Sequence, residues 1–414
     1  MNQTHRLPAH EAGGLIASPL ITGSAPPRPV SLHTVQFTGS GSEYFRIWIV
    51  NLLMMLLTFG LYYPWAKVRR LRYFYGNTLV IGHPLDFHGN PRQMLRGFVL
   101  VSALMLLYGA AGRVSPTSGM IAGFIVAAVW PALMRASLQF RLAQTSWRGL
   151  RFHFSGSLKD AYMVFLAPML VAVGVTMLGG ILLAMLPKSL GSAVLPIALT
   201  LGMLLTATLV GPYTLWRLKR YQHAHYALGQ LQTTFKASYR HMLGIFVKTG
   251  LLGIGAMMGL GVLGGLLGAT LGTHHAPPGP DTRQIGKQMG AYMAMIMPIL
   301  LGYILLTQIV VAPYFNARMQ NLVWTQTGNR LVRFKSHLGW AYMARLALKN
   351  WLLILLTLGL YWPFAAVALA KARLQAIVIH TRQDPDALIA QARQGSSDAT
   401  GDLAADLIGM DVGL

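Results

Sequence analysis

The stretch Asn51-Leu-Leu-Met-Met-Leu-Leu-Thr-Phe-Gly-Leu-Tyr-Tyr-Pro-Trp-Ala66 returns near the other end of the chain as Asn350-Trp-Leu-Leu-Ile-Leu-Leu-Thr-Leu-Gly-Leu-Tyr-Trp-Pro-Phe-Ala365. The match is too specific for chance, and its reading decides the topology. Each copy runs apolar to a breaking triplet, Thr58-Phe-Gly60 or Thr357-Leu-Gly359, and then carries Tyr62 and Pro64 or Tyr361 and Pro363. By length alone each copy could cross a bilayer once.

The rest of the chain is also written for lipid. Of its 414 residues 54% are hydrophobic and only 11% charged, where an ordinary soluble domain is about a quarter charged. Apolar windows run from Gly97 to Tyr108, Gly119 to Leu133, Ala161 to Leu186, Ala193 to Leu209, Leu243 to Leu271 and Ala291 to Val311. Several reach the roughly 20 residues that a spanning helix needs. The 44 glycines suit close helix packing in membranes. With no cysteine, disulfides, iron-sulfur clusters and thiolate zinc sites are excluded. The net charge of +23 sits beside apolar segments, which is the positive-inside pattern rather than a nucleic-acid footprint.

A short pattern recurs five times ahead of apolar runs, beginning at Phe37, Phe87, Phe154, Phe235 and Phe334. Its fourth position is Ser40, Asn90, Ser157, Ser238 or His337, and three residues on come Glu43, Gln93, Asp160, His241 or Trp340. The first three copies read as capping boxes, the fourth keeps the cap alone, and the fifth is degenerate. Upstream glycines Gly82, Gly149, Gly229 and Gly328 among β-prone residues predict hairpins that lead into these helices. Each unit closes with a proline (Pro64, Pro131, Pro212, Pro313 or Pro363) and a basic residue (Arg69, Arg135, Arg217, Arg318 or Lys371). Val35 to Phe37 and Ile377 to His380 are expected to pair as the two halves of a fifth hairpin.

The fold class expected is therefore an α-helical multi-pass membrane protein with short cytoplasmic β-hairpins in a five-unit internal repeat. It has six spanning helices and two re-entrant helical hairpins, bent at the two breaking triplets; eight simple spans are the alternative. Six spans leave only Arg113, Lys188, Arg283 and Lys287 as basic residues outside, whereas eight spans also expose the basic residues of the tails and of the first and last units. Residues 1–34 are expected as a disordered cytoplasmic tail, 35–383 as one transmembrane domain and 384–414 as a flexible tail, with both termini cytoplasmic.

The repeated stretch resembles the hallmark of the YjgN-like family of bacterial inner-membrane proteins, N-x6-T-x-G-x-Y-x-P-[WF]-A, followed by R-x-x-[RY]-[FY]-x-x-x-N-T, here Arg70 to Thr78. The resemblance covers most of the chain outside the tails and implies a multi-pass inner-membrane protein of unestablished biochemical role. The second copy lacks the arginine cluster and the Asn-Thr.

No catalytic constellation stands out. The acidic residues fall in tails, loops and helix caps, which argues against a buried-carboxylate pump and against paired-carboxylate hydrolysis. Gly259-Leu-Gly-Val-Leu-Gly264 mimics a dinucleotide fingerprint but lies inside an apolar run. His223 and His225 read as part of a solvated basic loop rather than as metal ligands. The expectation is thus no enzyme, no cofactor and no metal. The candidate motif is Asn51, Thr58, Gly60, Tyr62, Pro64 and Trp65 with Asn350, Thr357, Gly359, Tyr361 and Pro363. Lys67, Arg69, Arg70 and Arg72 are the candidate contacts to anionic phospholipid headgroups; the bilayer is the expected partner and nucleic acid is not. Two functions stay open. One is a channel, transporter or lipid-handling protein in which Asn51, Thr58, Asn350 and Thr357 meet at a cavity, and the other is a non-transporting scaffold whose basic face binds an acidic partner or anionic lipid.

Overall fold

The computed structural model describes residues 31–185, 188–270 and 282–394. The chain opens with β1 (Ser31–Thr34) and β2 (Gln36–Phe37), then α1 (Gly41–Leu57), a bend, α2 (Tyr63–Gly76) and the hairpin β3 (Thr78–Val80) and β4 (His83–Phe87). Next come α3 (Pro91–Val114), α4 (Pro116–Ala143), β5 (Thr145–Trp147) and β6 (Leu150–Phe154). α5 (Leu158–Ala184) and α6 (Lys188–Ala224) lead to β7 (Tyr226–Leu228), β8 (Leu231–Gln232) and β9 (Thr234–Phe235). α7 (Tyr239–Thr270), α8 (Thr282–Leu306), a π-helical turn at Thr307–Val311 and α9 (Ala312–Thr325) precede β10 (Thr327–Gly328) and β11 (Val332–Ser336). The last elements are α10 (Trp340–Leu356), α11 (Trp362–Gln375), β12 (Ile377–Thr381) and α12 (Pro385–Gln394).

Among the described residues, five helices are long and apolar enough to cross a membrane: Pro91–Val114, Pro116–Ala143, Leu158–Ile181, Tyr239–Leu266 and Ile296–Thr325. Their surfaces carry exposed Leu106, Leu107, Phe124, Ile125, Leu170 and Met257, an apolar coat that water would penalise and lipid accepts. In α7 the small-residue contact is made at Gly264, where a Cβ would meet Ile299 at 2.4 Å, while Gly255, Gly259, Gly261 and Gly265 face open space.

The strands lie at one end of the helices and join into a ring. β1 pairs with β12, from Ser31 against Thr381 to Thr34 against Val378, and the Val35 amide donates to Ile377 O at 3.2 Å. The chain then bends, and β2 pairs with β3 through Gln36–Leu79 and Phe37–Thr78. On the opposite side β8 pairs with β7, and after Thr233 the same run continues as β9 against β10. With the pairings β4–β5, β6–β7 and β11–β12, a five-stranded and a seven-stranded sheet form, and the chain itself joins them into a ring through the β1–β2 and β8–β9 runs. The terminal strands thus meet as the sequence implies, but the register is corrected: residues 31–34, with the Val35 amide, pair with the last strand, and Gln36–Phe37 pair with β3 instead. The segment expected as a tail through residue 34 becomes strand from Ser31 onward.

Local chemistry explains the recurring motif. Ile81 and Gly82 (φ 51° and 76°) and Arg148 and Gly149 (φ 52° and 82°) are both left-handed, the pattern of the tight turns that suit strand twist. In the fourth hairpin the turn instead falls on Asn329, whose Oδ1 accepts from the amides of Leu331 and Val332. Phe37, Phe87 and Phe154 fold back over the glycine two residues later. A Cβ at Gly39, Gly89 or Gly156 would come within 2.8, 2.4 or 2.5 Å of the ring. Ser40 accepts from the Glu43 amide, Asn90 from Arg92 and Ser157 from Asp160, capping α1, α3 and α5. α10 begins at Gly339 with no side-chain cap.

The apolar face of the ring packs against the helix ends and against α12. Ile389 and Ala392 of α12 join Trp147, Leu150, Val80 and Leu228 in one cluster, and Arg148 bonds Asp386 at 2.7 Å. Residues 385–394, expected as flexible tail, are therefore a helix seated on three hairpins because burying Ile389 and Ala392 removes apolar surface from water. The remainder of both tails lies outside the described residues.

Candidate functional site

The repeated stretch forms the same clip twice. At the end of α1 the Thr58 hydroxyl donates to Met54 O at 2.7 Å and accepts from the Tyr62 amide at 3.0 Å, so one side chain joins the last turn of α1 to the first of α2. At the end of α10, Thr357 does the same with Leu353 O and the Tyr361 amide at 2.7 and 3.0 Å. The Gly60 amide reaches back to Met55 O at 2.8 Å and the Phe59 amide to Leu56 O, as Gly359 and Leu358 do to Ile354 and Leu355. This is a Schellman ending, which requires a left-handed residue. Phe59 and Leu358 both occupy that conformation at φ 49°, with Gly60 and Gly359 following at 87° and 93°. Bulky residues rarely adopt it, and such strain costs about 1–3 kcal/mol. Phe59 and Leu358 project outward from the bends, 98% and 94% exposed.

Pro64 and Pro363 are buried in the first turn of α2 and α11, where a missing amide costs nothing. Tyr62 stacks on Trp65 and Tyr361 on Phe364, with ring centroids 6.0 and 5.4 Å apart. Two turns before the clip threonine in each first helix sit Asn51 and Asn350, 5% and 8% exposed, and the Oδ1 of each has no hydrogen-bond partner. A buried acceptor left without a partner costs about 1–3 kcal/mol, and here the same orphan stands at both equivalent positions.

The basic residues after Pro64 make separate contacts, and Arg69, Arg70 and Arg72 are all exposed. Arg69 lies over the Tyr62 ring at 5.6 Å, Arg70 over Phe74 at 5.9 Å, and Arg72 donates to Gly89 O at 3.3 Å, tying α2 to the loop before α3. The pattern recurs in other units, where Arg217 and Arg318 lie over Tyr213 and Tyr314, and Arg135 donates to Gly156 O. Lys67 alone of the four lines the cavity of ≈ 420 Å³ between α2, α3 and α4, together with Arg141, Gln222 and Ser137. Of the repeated stretch Tyr63 and Pro64 reach that cavity; Asn51, Thr58, Asn350 and Thr357 do not line it.

Further cations gather on the ring side of the apolar segments. Burial, then the positive charges of Arg373 and Arg141, push Lys219 below its ordinary range. Burial also lowers Arg373, which donates from Nε to Gln320 Oε1 at 2.8 Å. Arg141 and Arg373 are nonetheless open to solvent. Burial, with Lys219 second, pushes His223 down to about 3, and its Nδ1 meets Thr327 Oγ1 at 3.1 Å. The solvated-loop expectation for His223 is thus corrected: it is a neutral, buried bridge between α6 and β10.

Sequence reasoning passed over Arg141, Lys219 and Arg373. The available signal was their position past the unit prolines, since Arg141 and Arg373 each follow Pro131 and Pro363 by the same interval.

Together these features define a mostly helical multi-pass membrane protein with a strand ring at one end and no recognisable catalytic centre among the described residues. The chain belongs to the family described as Bacterial protein of unknown function (DUF898), whose model matches residues 32–407. It is 31% identical over 170 residues to the inner membrane protein YjgN of Escherichia coli (strain K12), an overlap covering 40% of this chain and 42% of that one. It is 30% identical over 143 residues to the inner membrane protein YjgN of Salmonella typhimurium, over 34% of this chain and 36% of that one. The match thus spans about two fifths of the length of these relatives. No solved structure matches the chain.

Proposed function

We propose that α1–α2 and α10–α11 are re-entrant hairpins in a six-span protein of the bacterial inner membrane, with the ring and both termini cytoplasmic, and that the protein handles or moves a lipid or solute. It is not proposed to be an enzyme. The observation that carries this reading is the reach of the helices. α1 and α2 have 17 and 14 residues, α10 and α11 likewise, against 24 and 28 in α3 and α4. At 1.5 Å per residue the short hairpins extend about 21–26 Å from the ring and the long pair about 36–42 Å. A hydrocarbon core of about 30 Å above the aromatic belt is within range of the long pair alone. Both ends of each short hairpin also join neighbouring strands of one ring, so entry and exit fall on the same side. A bent backbone within a membrane persists where it is enclosed by protein or borders a cavity, and the left-handed Phe59 and Leu358 would then rest in lipid.

The absence of cysteine makes the test direct. In Phe59→Cys and Ser115→Cys single variants in intact inner membranes, a membrane-impermeant maleimide applied from the periplasmic side should label Cys at 115 and leave Cys at 59 untouched. Labelling at 59 would overturn the re-entrant reading. The scaffold alternative draws on the outer face of the ring, where Arg151, Arg333 and Lys335 are exposed and could meet an acidic partner.

A further inference from the structure

We infer that the cavity between α2, α3 and α4 binds an anionic phospholipid, its phosphate held by Lys67 and Arg141 and its acyl chain lying along Phe98, Val101, Trp130 and Leu133. The inference deepens the lipid-handling branch of the function proposed above and takes its bilayer placement from that reading.

The first observation is the two-ended chemistry of the cavity. Its volume of ≈ 420 Å³ lies in the range of small-molecule sites, about 300–1,000 Å³. The end nearest the ring carries Lys67, Arg141, Gln222 and Ser137, and the far end is wholly apolar. A free inorganic ion has no use for the apolar end, and a neutral lipid has no use for the charged one. The second observation is unbalanced charge. Arg141, which lines the cavity beside Lys67, repels both Lys67 and Lys219. Among the described residues no carboxylate forms an ion pair with any of them; the ion pair found there is Arg148 with Asp386, at the hairpin tips. Like charges held together without a counter-ion are costly, and a phosphodiester would remove that cost while giving Arg141 the two acceptors that guanidinium favours. The third observation is position. Along their helices Lys67 and Arg141 lie nearer the ring than Val101 and Trp130, so in the bilayer placement proposed above the cationic end takes the headgroup side and the apolar end faces the acyl chains.

The test uses Trp130 as reporter. Full-length protein in neutral detergent is titrated with phosphatidylglycerol bearing brominated acyl chains, and quenching is compared with a Trp130→Phe variant to isolate the signal of this tryptophan among the nine of the chain. Saturable quenching of Trp130 is expected, weakened about tenfold or more in the Lys67→Gln/Arg141→Gln variant. It should persist in Arg217→Gln/Arg318→Gln, which removes as much charge elsewhere. Val101→Phe fills the apolar end while leaving every cation and should abolish saturation, so it carries the test if the charge variant fails to fold by circular dichroism. Equal quenching by brominated phosphatidylcholine, unchanged affinity in Lys67→Gln/Arg141→Gln, or equal loss in Arg217→Gln/Arg318→Gln would each overturn the site. Displacement of the lipid by millimolar inorganic phosphate would assign the cations to a free anion and overturn the lipid. Maleimide labelling at position 59 would defeat the topology without touching this binding measurement, so the two failures are separable.

Discussion

After Pro64, α2 continues Trp65, Ala66, Lys67, Val68, Arg69, Arg70; after Pro363, α11 continues Phe364, Ala365, Ala366, Val367, Ala368, Leu369. One hairpin is cationic where the other is aliphatic, yet the threonine clips share distances of 2.7 and 3.0 Å and the left-handed residues share φ 49°. The bend therefore owes nothing to the charges. It is a local consequence of Thr-x-Gly at a helix end. The surroundings diverge in parallel: the ≈ 420 Å³ cavity beside α2 holds Lys67 and Arg141, whereas the ≈ 370 Å³ one beside the start of α10 is lined by His337, Leu338, Gly339, Tyr342, Ala372, Gln375 and Ala376, with no lysine or arginine. The geometry is common to both hairpins, and any anion chemistry belongs to the first.

The strongest way to break this equivalence is at the glycines. Gly60→Val and Gly359→Val meet open space, so their effect is purely backbone strain, expected at about 2–3 kcal/mol each. Thermal melting in detergent should give equal losses, and a clear inequality would mean that one bend is held by something other than its clip. Thr58→Val and Thr357→Val each strand the amide of Tyr62 or Tyr361, and a loss of about 1–2 kcal/mol is expected for both by the same measurement. The paired asparagines sharpen the comparison differently. Since Asn51 and Asn350 each hold an orphan Oδ1, Asn51→Leu and Asn350→Leu should be neutral or more stable by up to about 1 kcal/mol. Destabilisation of both would show that these oxygens have partners in the membrane. The smallest effect is expected at Arg69→Ala, about 0.5 kcal/mol for the stack on Tyr62. The second hairpin already carries Ala368 there, so its stability is the built-in control.

The bends were legible from residues because helix endings are local: Thr, Gly and Pro each act within a turn of themselves. The same holds for the caps at Ser40, Asn90 and Ser157 and for the left-handed Gly82 and Gly149. What escaped was long-range. Val35 to Phe37 reads as one strand of a terminal pair, but a run of seven residues can pair on both edges only when two neighbours are already placed, and Val35 is where the chain bends between them. His223 and His225 read as loop because a polar run between apolar segments is usually wet. Burial of His223 depends on β10 arriving with Thr327. Nor does adjacency in sequence reveal that Arg69 lies over Tyr62, Arg70 over Phe74, and Arg72 ties α2 to Gly89.

By itself, then, the sequence determined a membrane chain, its two clipped bends, its capped helices and its hairpin turns, because hydropathy and local backbone preference need no distant partner. Only the tertiary structure decided that the strands close into a ring, that α12 is seated on the hairpin tips, and that Lys67, Arg141 and Lys219 converge from three helices. Those outcomes depend on register and on which helix faces meet, and no single segment carries that information.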